Sequence, residues 1–526
     1  MGNPRKDNEE SPQLLREVRD KVAFQTLIRH LSNSKQGGPD GVPNEVIKIL
    51  PESLTSAIHD LITLMWIKHE TPDSWKESNT FLLHKPNKDP TNPNSYRPIG
   101  LANTILKLWT ATLARVISQH AEQHSMLSSS QEGFRKAKNT HRQLMNVILA
   151  IEDATITKQN LYSLYIDFSS AFNTTDHDKQ LRIMHATGYP EDAIKAVRSV
   201  YTNTTTTILT PHGKTDPIKV ERGTIQGDNL SPLLFLIYIE PLLRWLHSGG
   251  RGYQYGCLTK ELNLQYNLSA PAFADDLDIL VNNVRDLHIQ VSKVNSFNQW
   301  AGLDANADKS TATAILHKDY EVGLIPKNSS PCDGPRIRNQ LEGKILLGGK
   351  AVPYLPPDEP YKYLGVWLTL TLNWTYQHNK TMKDIKIKGE AVLASMASTK
   401  QKLKMISQVI KPGVTYDFPL AFYNPRDISK MDNKIASLAR KACWLPSSSP
   451  TIGILAAQEQ GGLGVTSLWI DYVQLSTSMI IKALNDEGRL GTVTRALLNL
   501  QNIATGALIM DMSPQHTKYL TPLRMI

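Results

Sequence analysis

Two acidic residues stand side by side in the apolar stretch APAFADDLDILV, Ala270–Val281. Burying like charges is costly, so a carboxylate pair in such surroundings keeps a proton or holds a cation. Ala270–Ala274 and Leu277–Val281 read as two strands with Asp275-Asp276 at the tight turn between them, where Asp is tolerated. A further carboxylate, Asp167, closes the apolar run LYSLYIDF, with Phe172 five residues on. If the two strands are neighbours, Asp167 and Asp275 face each other across a sheet. Hard oxygen ligands on separate strands suit Mg²⁺, which keeps waters and completes its shell from substrate phosphates. Two such ions would activate an attacking hydroxyl and steady a leaving oxygen, the inorganic core of nucleotidyl transfer. An Asp-Asp pair alone arises by chance in a chain this long, so the chemistry depends on the elements around it. Asp278 reads as a structural strand residue.

Those elements follow from periodicity and punctuation. Helical spacing runs through Leu14–Leu31 and Leu54–Trp66, separated by the Gly/Pro-rich connector KQGGPDGVP. A basic loop, HKPNKDPTNPNSYRP, precedes the strand that ends in Asp167. Beyond that strand come a helix from Asp176 through Met184, a second after Pro190, and Thr-rich strands around PHGKTDP that read as a hairpin. NLSPLLFLIYIEPLLRWL reads as a helix with Ser231 at the N-cap and Pro232 at its first position. KILLGGKAVPYL is a hairpin candidate turning at Gly348-Gly349, and the pattern is helical from about Thr375. The mixture of strands and helices predicts an α+β sheet with helices on one face.

The totals bound the function. Lys and Arg number 58 against 49 Asp and Glu, giving +9 and a pI near 9.1, which modestly favours a polyanionic partner. Residues 380–411 carry eight lysines against two acids, most of that excess. Ile385, Val392, Met396, Leu403, Ile406 and Ile410 recur there at helical spacing, so one face packs and lysines line the other. That lysine face is either solvated surface or a phosphate-tracking helix through Lys383, Lys386, Lys400 and Lys404. Three dispersed cysteines disfavour a disulfide framework or a structural zinc site. The N-terminus lacks an apolar signal core, and no apolar run is long enough to span a bilayer. An intracellular protein with no membrane partner is expected.

YIDFSSAF, GTIQGDNLSPLLF and FADD stand in that order along the chain. The ordered set resembles three palm motifs of the reverse transcriptases of non-LTR (LINE-type) retrotransposons. GPDGVP, SYRPIGL, QEGFRKAKNT, GLDANADKS, YKYLGVWL and GGLGV fall in the corresponding order around them, from about residue 35 to 475. The resemblance implies a right-hand polymerase: an extension over 1–34, fingers over 35–160, an antiparallel-sheet palm with the primer-grip hairpin over 161–370, a helical thumb over 371–445, and a helical region over 446–526 with no assigned role. It implies RNA-directed DNA synthesis from dNTPs on a DNA primer and an RNA template, with two Mg²⁺ ions for which Mn²⁺ can substitute. Asp167, Asp275 and Asp276 are the implied metal carboxylates, joined by the Phe168 carbonyl. Lys85 and Arg97 would grip the triphosphate, and Gln226 and Gly227 would lie against nucleotide and template. Phe172 stands at the position that blocks a 2′-hydroxyl, with a core aromatic as the plainer reading. Lys309 matches a lysine that protonates pyrophosphate, with a solvated lysine as the plainer reading. Tyr363, Leu364 and Gly365 fall in the primer-grip region.

The sequence departs from that pattern at Asp228-Asn229, where a small residue and a proline are usual, and at Asn173, where Asp is common. A non-catalytic nucleic-acid-binding remnant or domesticated protein is therefore an alternative, and an RNA-dependent RNA polymerase a weaker one that Phe172 opposes. No endonuclease, zinc knuckle or RNase H segment is recognised, so an endonuclease would be supplied separately or lost. The family implies a nuclear location or shuttling between nucleus and cytoplasm.

Overall fold

The structure, a computed structural model, describes residues 11–505 apart from 225–226, 259–265 and 326–328. Four antiparallel strands stand in the order Ala272–Phe273, Asp276–Val281, Asn160–Ile166, Thr311–Leu316. Every residue of Asn160–Ile166 is buried, because both faces of this sheet carry a core. Tyr162, Leu164, Ile166, Leu277, Ile279 and Val281 pack with the helices Thr104–Gln123, Ser231–His247 and Val284–Ala301. The alternate residues Leu161, Tyr165, Leu280 and Ile315 join a second core with the helix Thr140–Thr157 and the C-terminal helices. A strand that is apolar on both faces needs this two-sided cover. The α+β expectation holds, but helices cover both faces of this sheet and not the single face expected, because alternate residues of its central strand are apolar on either side.

A second sheet is built on the hairpin of Glu77–His84 and Tyr96–Ala102, in register Leu83↔Arg97. Thr205–Thr210 adds to Glu77–His84 in parallel, and two short strands, Gly213–Lys214 and Ile218–Lys219, pair back onto it. The hairpin expected around PHGKTDP is thus present, with its return strand interrupted. It pairs with residues 77–102 and not with the four-stranded sheet.

Helix boundaries follow local chemistry more finely than periodicity. The Leu14–Leu31 pattern splits into Pro12–Val18 and Lys21–His30, because the Asp20 carboxylate accepts from the Ala23 N–H and starts a new helix. Ser231 is the first residue of Ser231–His247 and not its cap. Leu230 before it is already helical, and its N–H is taken by the Asp228 carboxylate at 3.2 Å.

The lysine-rich segment is not one helix. Thr375–Ala394 ends, Ser398 opens Thr399–Met405 with a reciprocal Ser398–Gln401 capping box, and a π-helical turn follows over Ile406–Ile410. Ile385, Val392, Ile406 and Ile410 are buried as expected, but Met396 sits in the break and is fully exposed. The interruption removes it from the packed face. Lys380 pairs with Asp384 at 2.7 Å and Lys411 with Asp471 at 2.8 Å, while Lys383, Lys386, Lys400 and Lys404 are exposed. Among the described residues no helix is long and apolar enough to cross a membrane.

Candidate active site

The carboxylates gather at one end of the four-stranded sheet. Antiparallel pairing sets Ile166 opposite Leu277, so Asp167 leaves its strand beside the start of Asp276–Val281. The turn differs from the expected one. Phe273 pairs with Asp276, which makes Ala274-Asp275 the two-residue turn and Asp276 the first residue of the strand. Ala274 takes the positive φ, 55°, that a tight hairpin requires.

The electrostatics are those of three clustered carboxylates with the exposed Lys309 as counter-charge. Burial, and then the Asp167 charge, raise the Asp275 carboxyl above its ordinary range. Asp276 is pushed up to about 6 by burial first and then by Asp275 and Asp167. One Asp167 oxygen, Oδ2, is buried with no hydrogen bond, although Lys309 Nζ stands 3.4 Å away. Asp278 lies one pleat deeper on the same face as Asp276, accepts from the Ser163 hydroxyl at 2.7 Å, and is raised to about 7 by burial. Its full burial fits the structural role expected of it.

Backbone contacts fix the strand end. The Asp167 N–H donates to Ser310 Oγ at 3.1 Å, and its carbonyl accepts from the Asn306 N–H at 2.8 Å. The Ser169 N–H reaches the Asp304 carbonyl at 2.8 Å. GLDANADKS therefore backs the Asp167 strand, and Phe168 faces Ala305 with its own carbonyl outside these bonds. Lys309 is largely exposed on that segment.

The turn is fixed from the other side by QEGF. Gln131 Oε1 accepts from the Ala274 N–H at 2.8 Å, and Gln131 Nε2 donates to the Ala274 carbonyl at 3.2 Å. The Glu132 N–H reaches the Ala272 carbonyl, and the Ala272 N–H reaches Ser130, both at 2.9 Å. Gln131 is fully buried. The motif was visible in the sequence, but nothing there singled out this side chain. A lone Gln carries no spacing signal, and its target lies 143 residues away.

The remaining residues surround this centre. Phe172 packs on Phe235 with ring centroids 4.6 Å apart and edge-on to Phe134 at 6.4 Å, half-buried. Gly227, φ 103°, lies against the Gly100 carbonyl, which joins GTIQGDN to SYRPIGL. A Cβ at 227 would stand 3.3 Å from that oxygen. Gln226 lies outside the described residues. Lys85 Nζ donates to the Asn94 carbonyl at 2.8 Å within the hairpin, and Arg97 is exposed on the paired strand. Tyr361–Tyr363 and Val366–Leu368 form a hairpin whose Leu364-Gly365 turn has positive φ at both residues. Tyr361 stacks on Tyr165 at 4.2 Å, two residues from Asp167, and Tyr363 accepts from Gln143 at 3.1 Å. The Tyr416 hydroxyl donates to the Leu364 carbonyl at 2.9 Å. Asp228, one of the departures from the motif, is a buried link: it accepts from the Thr110 hydroxyl and the Leu230 N–H, and burial raises it to about 6.

Residues 83–368, more than half of the chain, match the family of reverse transcriptases (RNA-dependent DNA polymerases). The chain is 24% identical over 430 residues to the Retrovirus-related Pol polyprotein from type-1 retrotransposable element R2 of Nasonia vitripennis, covering 81% of this chain and 38% of that protein. It is 24% identical over 442 residues to the corresponding type-2 element R2DM polyprotein of Drosophila melanogaster, covering 84% and 38%. With the type-1 R2 polyprotein of Popillia japonica it shares 25% over 436 residues, covering 82% and 56%. The chain thus spans between about two-fifths and just over half the length of these relatives. The chain belongs to the reverse transcriptase (RNA-dependent DNA polymerase) family, in its non-LTR retrotransposon branch.

Proposed function

We propose that the chain is an RNA-directed DNA polymerase that adds dNTPs to a primer 3′-hydroxyl on an RNA template. The observation that carries this reading is the convergence of Asp167, Asp275 and Asp276 at one sheet end, with Asp275 and Asp276 raised and an Asp167 oxygen left without a hydrogen bond. Such a set is unfavourable alone and fits divalent cations. Among the described residues no three His, Cys, Asp or Glu side chains, these three included, are grouped so that they could hold a metal ion by themselves. An open carboxylate site is what Mg²⁺ takes, with water and phosphate completing the shell. Asp167, Asp275 and Asp276, with the Phe168 carbonyl, would hold two Mg²⁺ ions, and Mn²⁺ would substitute. The bound cations would supply Lewis acidity to the attacking and leaving oxygens.

This chain's own groups do the rest. Lys85 and Arg97 sit on the hairpin that meets Gly227 through Gly100, and they would grip the triphosphate. Lys309, 3.4 Å from Asp167, would give a proton to departing pyrophosphate. Tyr363, Leu364 and Gly365 would hold the primer end, and the exposed Lys383, Lys386, Lys400 and Lys404 would track its phosphates. In the right-hand division, the sheet at 77–102 belongs to the fingers, the four-stranded sheet to the palm and residues 371–445 to the thumb.

The purified chain is expected to extend a DNA primer on an RNA template with dNTPs and Mg²⁺. Intact protein that binds the duplex but adds no nucleotide under either Mg²⁺ or Mn²⁺ would return the reading to a nucleic-acid-binding remnant. Phe172→Ala is expected to raise ribonucleotide use relative to deoxynucleotide use by roughly 10- to 100-fold, the scale on which a pocket discriminates one hydroxyl. Single-nucleotide addition kinetics with dNTP and rNTP pairs measures this. An unchanged ratio would leave Phe172 as a core aromatic on Phe235.

A further inference from the structure

We infer that the C-terminal helical pair, Leu468–Leu484 and Arg489–Thr505, braces the catalytic turn through the chain Asp486–Arg142–Glu132, with Gln131 as the positioning residue at its end. This rests on the nucleotidyl-transfer reading of the carboxylates above. Glu132 is next to Gln131 in the segment that hydrogen-bonds Ala272 and Ala274. Its side chain is 2% exposed and holds Lys138 at 3.3 Å and Arg142 at 3.0 Å. Arg142 reaches on to Asp486 Oδ2 at 2.5 Å. Asp486 lies between the two C-terminal helices, where its Oδ1 accepts from the Gly488 N–H at 2.9 Å. Helix Arg489–Thr505 then packs along Thr140–Thr157, the helix that carries Arg142. Burial works to raise the Asp486 carboxyl, and the Arg142 guanidinium outweighs it and holds it below its ordinary range.

Glu132 and Asp486 are two carboxylates among three cations, Lys138, Arg142 and Arg489, and the Arg489 charge acts on both acids. Without Asp486 the three cations face one buried glutamate, and Arg142 loses the partner that draws it toward the C-terminal helices. Buried pairs respond strongly to loss of one partner, because the other charge is left unpaired. The segment disturbed is the one whose amide clamps the turn of Ala274 and Asp275. Asp486 also lies outside residues 83–368, so the brace is supplied by chain beyond the matched polymerase segment.

Asp486→Asn in the full chain tests this, since Asn keeps an oxygen for the Gly488 N–H and removes only the charge facing Arg142. Amide hydrogen exchange in segments 130–134 and 272–276 is expected to quicken about tenfold, a coupling of ordinary size. The helix Ser231–His247 should exchange as in the parent. The turnover rate of primer extension should fall about tenfold at unchanged KM for dNTP, with Asp486→Glu restoring most of it. Combined with Gln131→Leu, Asp486→Asn should add little further loss, because both act on one turn. Parent-like exchange in both segments overturns the brace, whatever the activity. Exchange that quickens in a parent with no polymerase activity would uphold the brace and overturn only the functional reading. If Asp486→Asn does not fold, Arg142→Lys is expected to show the same local exchange pattern, and parent-like exchange there is equally fatal.

Discussion

Asp275→Asn is expected to lower primer extension by about 10³-fold or more, the scale of losing a principal electrostatic stabiliser, while making the metal-free chain more resistant to heat. Both effects have one cause. Asp275 is half-buried and Asp276 is exposed at the strand's first position, and both stand beside Asp167, so the Asp275 charge costs stability in the absence of a cation. The direction with pH follows from the raised values. Burial and the Asp167 charge raise the Asp275 carboxyl above its ordinary 3.8 in the folded state, so it takes up protons more readily there than in the unfolded chain. Its charge therefore destabilises the fold increasingly as pH rises above 3.8. In EDTA the variant's unfolding midpoint should exceed the parent's at pH 8, and the gap should close below about pH 4. Adding Mg²⁺ should raise the parent's midpoint more than the variant's, since only a ligand that binds the folded state stabilises it. Calorimetry across pH with and without Mg²⁺ reads all of this. Extension at a parent-like rate by Asp275→Asn would sink the assignment.

What the sequence revealed and what it hid divide along chain distance. Asp167, Asp275 and Asp276 were legible because each ends or interrupts an apolar run, and the motifs around them come in a fixed order. The hairpin at Gly348-Gly349 was legible because its turn is local, and both turn residues show positive φ. Local chemistry misled where periodicity was read across a break. Met396 kept helical spacing with Val392, yet the Ser398–Gln401 capping box starts a new helix just after it and leaves it in solvent. Which residues hold the turn was hidden, because a clamp such as Gln131–Ala274 depends on pairing set by the whole sheet. Asp486 lies 344 residues from Arg142, and nothing in either neighbourhood marks the pair. Charge totals are equally silent: two of the eight lysines in residues 380–411, Lys380 and Lys411, are paired to Asp384 and Asp471.

Gly133→Ala is expected to cost primer extension about 10²-fold, although the residue touches no substrate. A Cβ at 133 would fall on the Ala274 amide nitrogen, well inside the 3.0 Å that real Cβ contacts respect, and within 3.1 Å of Ala274 Cα. The obstacle is backbone, so no rotamer change relieves it. Ala274 is pinned by both Gln131 hydrogen bonds at positive φ, and moving it carries Asp275 with it. Moving segment 130–133 outward instead breaks the Glu132–Ala272 bond and withdraws Gln131 from the turn. Either relaxation shifts a carboxylate by a sizeable part of an ångström, and misplacement on that scale costs about 10²-fold in rate. Overpacking of this kind also lowers stability by about 1–3 kcal/mol, so the rate is to be compared at a temperature where both proteins are folded. Gly453→Ala is the control, since a Cβ there meets nothing within 4 Å. It should leave the rate within about twofold of the parent, as surface substitutions away from such features do. A Gly133→Ala enzyme as fast as the Gly453→Ala control would show that the turn is not held by close approach of QEGF.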